Sequence, residues 1–85
     1  MYLEYFVGIQ FHSQSEEFNS KPSGSPSEAF EIARIGSLRK YHRVTLYARC
    51  GDTTVGIPFS EIEHLDGIES LDTELRKIAE SRFNV

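Results

Sequence analysis

Eighty-five residues with a formal net charge of −4 suffice for one domain with one core, residues 1–85, and leave no room for two. The hydrophobic fraction of 39% and the charged fraction of 26% are those of a globular chain, which argues against disorder. The single cysteine, Cys50, excludes an intrachain disulfide and favours a reducing compartment, so we expect a cytoplasmic protein.

Residues 2–12 alternate in side-chain polarity, which predicts a first strand. Its apolar side carries Leu3, Tyr5, Val7, Ile9 and Phe11. Tyr2 and Phe6 fall on the opposite side, so we expect both faces of this strand to be partly buried. A central position in a sheet or a contact with a second copy of the chain would explain that.

Residues 13–25 are rich in serine and include Pro22 and Gly24, which predicts a loop. Phe18 is its one large apolar residue. It either anchors the loop to the core through a short extra strand or lies in a binding site.

A first helix is predicted from Ser25, where the sequence S-P-S-E matches a capping box with proline at the first helical position. One stripe of the helix is assigned to the core: Ala29, Ile32, Ala33 and Gly36. Gly36 either ends the helix or lies within it, and the helix could continue as far as Tyr41.

Residues 42–50 alternate again and predict a strand whose inward side carries Val44, Leu46, Ala48 and Cys50. A turn at Gly51 and Asp52 leads to a further alternating run through Val55, Ile57 and Phe59. The two runs form a predicted β-hairpin. Pro58 cannot donate a backbone hydrogen bond, so the second strand is an edge strand or ends there.

A second S-x-x-E sequence, Ser60 to Glu63, predicts a helical turn that Gly67 closes. The last helix has an apolar stripe formed by Ile68, Leu71, Leu75, Ile78 and Ala79. The predicted fold is therefore α+β in the order β-α-β-β-α. We expect three mainly antiparallel strands, one helix on a face of the sheet, and the C-terminal helix on the other face or at an edge.

Charge is sorted along the chain. Residues 32–51 contain five bases and no acid, whereas residues 52–75 contain seven acids and no base. The basic segment indicates an anionic partner, and its predicted contact residues for an acidic surface are Arg39, Lys40, Arg43, Tyr47 and Arg49. The same residues could bind nucleic acid, because cations beside an aromatic ring neutralise phosphates and stack on bases. A third interpretation is that the bases only pair with acids of the same fold.

The acidic segment has two interpretations of its own. Its predicted contact residues for a basic surface are Glu61, Glu63, Glu69 and Asp72, arranged as a protein that imitates a phosphate backbone would arrange them. The alternative is a solvated face that aids solubility.

Nothing in the sequence indicates catalysis, and we expect no enzyme, no cofactor and no metal site. His12, His42, His64 and Cys50 lack the spacing of a zinc site. Cys50 lies on an inward row, where a free cysteine behaves as a small apolar residue. The N-terminal residues lack the pattern of a signal peptide, and no apolar run is long enough for a membrane span.

The helix sequence SEAFEIAR and the hairpin VTLYARCGDTTVGIPF, following a strand and a Ser-rich loop, give a plan that resembles small phage-encoded inhibitors of bacterial defence, including anti-CRISPR proteins. The resemblance lies in size, element order and divided charge over about residues 2–59. It implies a stoichiometric inhibitor acting on a host nucleoprotein complex. The expected function is thus a non-enzymatic protein-binding module, such as an inhibitor.

Two alternatives remain open. One is a small nucleic-acid-binding module that uses residues 34–49. The other is a homo-oligomeric structural subunit, such as a homodimer, in which Tyr2, Phe6 and the stripe of Leu71, Leu75 and Ile78 are buried between copies.

Overall fold

The structure, a computed structural model, describes residues 2–12, 16–41 and 43–83. Its elements follow in the order β1 (Glu4–Gln10), β2 (Glu17–Asn19), α1 (Pro26–Leu38), β3 (Arg43–Cys50), β4 (Thr53–Pro58), two 3₁₀ turns (Phe59–Glu61 and Glu63–Leu65) and α2 (Leu71–Phe83). Neither helix within these ranges has the length and apolar character needed to cross a membrane.

The four strands form one antiparallel sheet in the order β2-β1-β3-β4. The predicted α+β class and the antiparallel hairpin are confirmed. The prediction of three strands is wrong, because part of the Ser-rich loop forms β2 at the edge of the sheet. Ile9 of β1 pairs with Phe18 of β2, so the short extra strand of the first interpretation is present. Phe18 itself is 50% exposed and its ring contacts Phe11, so it is not buried in the core.

The segment after β2 continues beside β1 through backbone bonds that need no apolar side chain. Tyr5 and Ser23 exchange two backbone hydrogen bonds, of 2.7 and 2.9 Å. Between β2 and Ser23, the Ser20 hydroxyl oxygen accepts the Val7 N–H at 2.8 Å. A hydroxyl thus replaces a carbonyl in the ladder, which explains why a polar sequence here lies along a strand.

Both helices pack on the same face of the sheet, so the expectation that α2 lies on the other face is wrong. The contacts of α2 with the edge strand β4 agree with the alternative expectation, a position at an edge. One core cluster joins inward strand residues to both helices: Tyr5, Val7, Leu46, Ala48 and Ile57 from the strands, Phe30 and Ala33 from α1, and Leu75 and Ala79 from α2. The opposite side of the sheet, called here the outer face, carries Phe6, Arg43, Tyr47 and Arg49, all at least partly exposed.

Helix α1 begins as its sequence predicts. The Ser25 hydroxyl oxygen accepts the Glu28 N–H, and Pro26 is the first helical residue. The second bond of a capping box, from the Ser25 N–H to the Glu28 carboxylate, is replaced by two bonds through the Ser23 hydroxyl. The Ser25 N–H donates to the Ser23 hydroxyl oxygen at 3.1 Å, and the Ser23 hydroxyl donates to the Glu28 carboxylate at 2.6 Å.

Helix α1 passes through Gly36 and ends at Leu38, with Lys40 in the left-handed region at φ 57°. The helix places Gly36 against the sheet, where a Cβ on the glycine would lie 3.4 Å from the Val44 side chain. A left-handed residue just past a helix is a common termination, although glycine normally occupies it.

The segment between β4 and α2 differs in detail from the predicted helical turn. It forms two 3₁₀ turns without a side-chain cap, and Ser60 lies inside the first of them. Gly67, at φ 88°, follows the second turn. Helix α2 begins at Leu71, so Ile68 precedes it and packs against the core from outside the helix.

Candidate protein-binding surface

Two of the five bases in residues 32–51 are paired within the chain. Arg34 forms an ion pair with Glu31 one turn earlier on α1, and this hydrogen bond lowers the pKa of Glu31 and raises that of Arg34. Arg49 pairs with Glu4 of the neighbouring strand at 2.9 Å and lies 5.9 Å from the centre of the Phe6 ring. Arg49, one of the predicted contact residues, therefore already has a carboxylate partner within the chain.

The other three bases are exposed, and we call Arg39, Lys40 and Arg43 the basic cluster. Among residues 2–12, 16–41 and 43–83, no carboxylate lies within 4.0 Å of their side-chain nitrogens. They occupy the junction between α1 and β3. Three cations concentrated in so short a segment produce a positive field at that end of the molecule.

A hydrogen bond from another segment holds this junction. The Nε2 of His12, just beyond β1, donates to the Lys40 carbonyl oxygen at 2.8 Å. The bond fixes the peptide that follows the left-handed Lys40. The backbone that carries the basic cluster is thus tied to the end of β1.

A groove of about 610 Å³ opens beside the basic cluster, and we call it the corner groove. It lies where β4 ends at Pro58 while β3 extends back to Arg43, so on the β4 side the end of β3 has no strand beside it. The residues that line it are Ser37, Tyr41, Arg43, Val44, Thr45, Tyr47, Gly56, Pro58, Phe59, Ser60 and Glu63. Aromatic rings, hydroxyls and one charge of each sign therefore converge there.

Tyr47 forms one wall of the corner groove and is held on three sides. Its ring stacks on Phe6, with centroids 5.1 Å apart and planes inclined by 21°. It lies over Gly8 and Gly56, where a Cβ would come within 2.6 and 3.0 Å of ring atoms. Its hydroxyl donates to the Glu17 carboxylate at 2.7 Å, and burial together with this bond raises the pKa of Tyr47.

The predicted acidic surface is divided by contacts within the chain. Glu61 pairs with Arg82 at 3.3 Å, and the Asp72 carboxylate accepts the Ser27 N–H of α1 at 2.8 Å. Glu63 and Glu69 are exposed, with no cationic side chain within 4.0 Å in the described part of the chain. Glu63 lies in the corner groove, so it shares a surface with Arg43.

Sequence reasoning missed an apolar surface on α1. Ile32, assigned to the core, is 39% exposed, and it is joined by Ile35 at 42% and Leu38 at 69%. The three residues recur every third position, a spacing that gives a second stripe beside the one of Ala29, Ala33 and Gly36. The small residues on the buried stripe could have indicated this surface. They let the helix lie close to the sheet, so the larger side chains on the neighbouring stripe stay exposed to solvent.

The described residues contain no group of three or more His, Cys, Asp or Glu placed to hold a metal ion. His42, one of the four residues considered for zinc, lies outside the described residues. Cys50 is partly buried at the end of β3 and packs against the core.

Comparison with known proteins found no matching family model, no similar curated protein and no similar solved structure.

Proposed function

We propose that this chain is a non-enzymatic protein-binding module that holds an acidic segment of its partner at the basic cluster and in the corner groove. One observation carries the proposal: in a chain of net charge −4, three neighbouring cations beside a groove have no carboxylate partner among the described residues. The partner's carboxylates would supply the missing counter-charges, and Tyr41 and Tyr47 would contact its apolar side chains.

Charge supports the orientation of this segment. Arg43 lies in the corner groove, while Lys40 and Arg39 extend the positive field towards α1. Glu63 lies in the same groove and repels an acidic residue placed beside it. A bound segment is therefore expected to direct its acids towards Arg43 and Lys40 and a neutral or basic residue towards Glu63.

A fluorescein-labelled peptide of alternating glutamate and leucine tests the proposal by fluorescence polarisation. We expect saturable binding that weakens with salt, since the contacts are exposed charges. The double variant Lys40→Glu with Arg43→Glu should weaken binding by at least about 10-fold. Glu63→Lys should strengthen it. The matched control is Arg76→Glu, an exposed base on α2, and it should leave the affinity unchanged.

The proposal is overturned if the labelled peptide does not bind, or if Arg76→Glu weakens binding as much as the double variant. A peptide with lysine in place of glutamate provides the test of charge sign and should not bind. Circular dichroism of each variant separates a loss of binding from a loss of fold.

A stoichiometric inhibitor, as the resemblance to anti-defence proteins implies, is one form that such a module would take. A partner bound at the corner groove would then be blocked at a one-to-one ratio. Titration of a captured partner's activity with the purified protein should give a sharp end point at that ratio.

One observation favours nucleic acid as a second candidate ligand. Phe6 and Tyr47 form a stacked pair on the outer face, on the two central strands, with Arg43 and Arg49 on the same face. Glu4 and Glu17 bind Arg49 and Tyr47, however, and bring two negative charges to that face. Binding of single-stranded oligothymidine at low salt that Phe6→Ala abolishes would favour this candidate over the acidic peptide.

A further inference from the structure

The exposed side of α1 carries an apolar stripe that nothing in the described chain covers. Ile32, Ile35 and Leu38 are 39%, 42% and 69% exposed. Beside them lies a shallow hollow of about 250 Å³, lined by Ile9, Ile32, Ile35, Gly36, Arg39 and Tyr41. A contiguous apolar surface of this kind on a small protein marks a site of association.

Charge on the same side of α1 follows a definite order. Glu28 and Glu31 precede the apolar stripe, and Arg39 and Lys40 follow it; all four are exposed. Glu31 is also paired with Arg34 of its own helix, so Arg39 of a second copy would be a further partner for its carboxylate. The charged and apolar residues are placed symmetrically in sequence about Ile35. Glu31 and Arg39 are each four residues from it, and Ile32 and Leu38 are each three. Reversing the helix about Ile35 therefore exchanges acid with base and places apolar residue on apolar residue.

We propose that a second copy of this chain covers the stripe, with its α1 antiparallel to the first about a two-fold axis beside Ile35. A two-fold contact uses the same patch on both subunits, so the patch must be self-complementary. In this arrangement Ile35 meets Ile35 of the second copy, and Ile32 meets Leu38 of the second copy. Glu31 and Arg39 meet at both ends, and the hollow beside Gly36 provides space for an aliphatic side chain of the facing helix.

Charge complementarity selects a second copy over a foreign partner. A uniformly acidic partner would be repelled by Glu28, and a uniformly basic one by Arg39. An antiparallel copy instead offers a base to the acidic end of α1 and an acid to the basic end. The pairing also agrees with the helix dipoles, whose opposite ends come together.

The dimer goes beyond the proposed function, although Arg39 and Tyr41 lie where the two surfaces meet. Ile35 does not line the corner groove, and Arg43 on β3 is not part of the helix contact. This contact differs from the self-association surface that the sequence suggested, which was Tyr2, Phe6 and the stripe of Leu71, Leu75 and Ile78. Leu75 of that earlier stripe is 1% exposed and packs in the core of its own chain.

A contact built on one helix face is smaller than the total of roughly 1,200–2,000 Å² typical of stable interfaces. We therefore expect a dissociation constant of about 1–100 µM. Sedimentation equilibrium across that range should show the mass changing from one chain to two. A mass of one chain up to about 1 mM, a concentration well above that range, would overturn the proposal.

Ile35→Glu places two carboxylates together at the two-fold axis and should give a monomer at every concentration tested. Because Ile35 is already exposed, its replacement should leave the fold intact by circular dichroism. The matched control is Tyr2→Glu, which removes an apolar side chain that is 76% exposed elsewhere on the surface. A dimer that survives Ile35→Glu would contradict the proposal.

Mixing two charge variants provides the decisive measurement. Glu31→Arg alone opposes two bases at each end of the contact, and Arg39→Glu alone opposes two acids, so each variant should dimerise about 10-fold more weakly. An equimolar mixture restores an opposite pair at both ends and should form a heterodimer with nearly the original affinity. Only a second copy predicts that rescue, so its absence would overturn the proposal.

The two proposals can fail separately. Ile35→Glu should still bind the glutamate–leucine peptide, because Lys40 and Arg43 are unchanged. Arg43→Glu alone, on β3 and outside the helix contact, should weaken peptide binding and leave dimerisation unchanged.

Discussion

The carboxylate of Asp72, in the first turn of α2, accepts the backbone N–H of Ser27, in the first turn of α1, at 2.8 Å. The two residues are 45 positions apart in the chain. The bond satisfies one of the N–H groups that a helix start leaves without an intrahelical partner, and it places a negative charge at the positive end of α1. Asp72 therefore joins the two helices.

We expect Asp72→Ala to lower the free energy of unfolding by about 1 kcal/mol, the usual cost of losing a cap. In a domain of this size the corresponding loss in Tm is roughly 4–8 °C. Glu69→Ala is the control, since Glu69 is exposed and has no cationic partner in the described chain. Equal midpoints for wild type and Asp72→Ala in urea would show that the bond contributes nothing.

Gly8 gives a prediction about packing on the outer face. A Cβ there would lie 2.6 Å from Tyr47 Cε2 and 2.7 Å from a Glu17 carboxylate oxygen. Gly8→Ala should therefore displace the tyrosine ring and cost about 1–3 kcal/mol of unfolding free energy. Gly24→Ala, whose nearest atom would be 3.7 Å away, is the control.

A double-mutant cycle tests whether the Tyr47 ring causes the steric clash of a Cβ at position 8. In a Tyr47→Ala background the ring is absent, so Gly8→Ala should cost clearly less than it does in the wild type. An equal cost in both backgrounds would mean that the ring is not the cause.

Replacing Gly36 with alanine should change the free energy of unfolding in the opposite direction. Glycine in a helix interior is less favourable than alanine by roughly 1 kcal/mol. The new methyl would lie 3.4–3.7 Å from Val44, Ile9 and Tyr41, which is ordinary contact. Gly36→Ala should raise the free energy of unfolding by about 0.5–1 kcal/mol. A lower thermal midpoint would show that the neighbours cannot accommodate the methyl group.

Tyr47 gives a pH dependence whose sign follows from its environment. Burial and the hydrogen bond to Glu17 raise the pKa of Tyr47 above its ordinary value of 10.0. The folded chain then keeps the proton at pH values where the unfolded chain has lost it. This contribution to stability is complete below about pH 10 and is lost as pH rises through the folded-state pKa.

Urea unfolding of wild type and Tyr47→Phe at several pH values checks this expectation. Below about pH 10 the variant should be less stable by about 1 kcal/mol, because it lacks the bond to Glu17. Above pH 10 the difference should shrink as the wild type loses its advantage. A difference that stays constant from pH 8 to pH 11 would contradict the assignment.

The sequence predicted those features that local patterns determine. Alternation of polarity identified the inward sides of β1, β3 and β4, and the S-P-S-E sequence located the start of α1. It could not identify β2 as a strand, because the ladder there depends on backbone groups and the Ser20 hydroxyl. It left α2 between the other face and an edge of the sheet, since one apolar stripe fits either face equally well.

The candidate site was predicted in part for a related reason. Composition identified the basic segment, but the folded contacts decide which bases stay unpaired, and some of those contacts join residues far apart in the chain. Glu4 pairs with Arg49 across 45 positions, whereas Arg43 has no such partner in the described chain. The apolar stripe on α1 depended on how deeply the helix sits on the sheet, which periodicity alone does not give.

The two free edges of the sheet are unequal in length but share one property. β2 pairs over three residues, and β4 ends at Pro58, which has no N–H to donate. Neither edge gives an incoming strand a long, uninterrupted template for backbone pairing. Concentrated solutions of this protein should accordingly resist fibril growth, even while the folded molecules associate with one another.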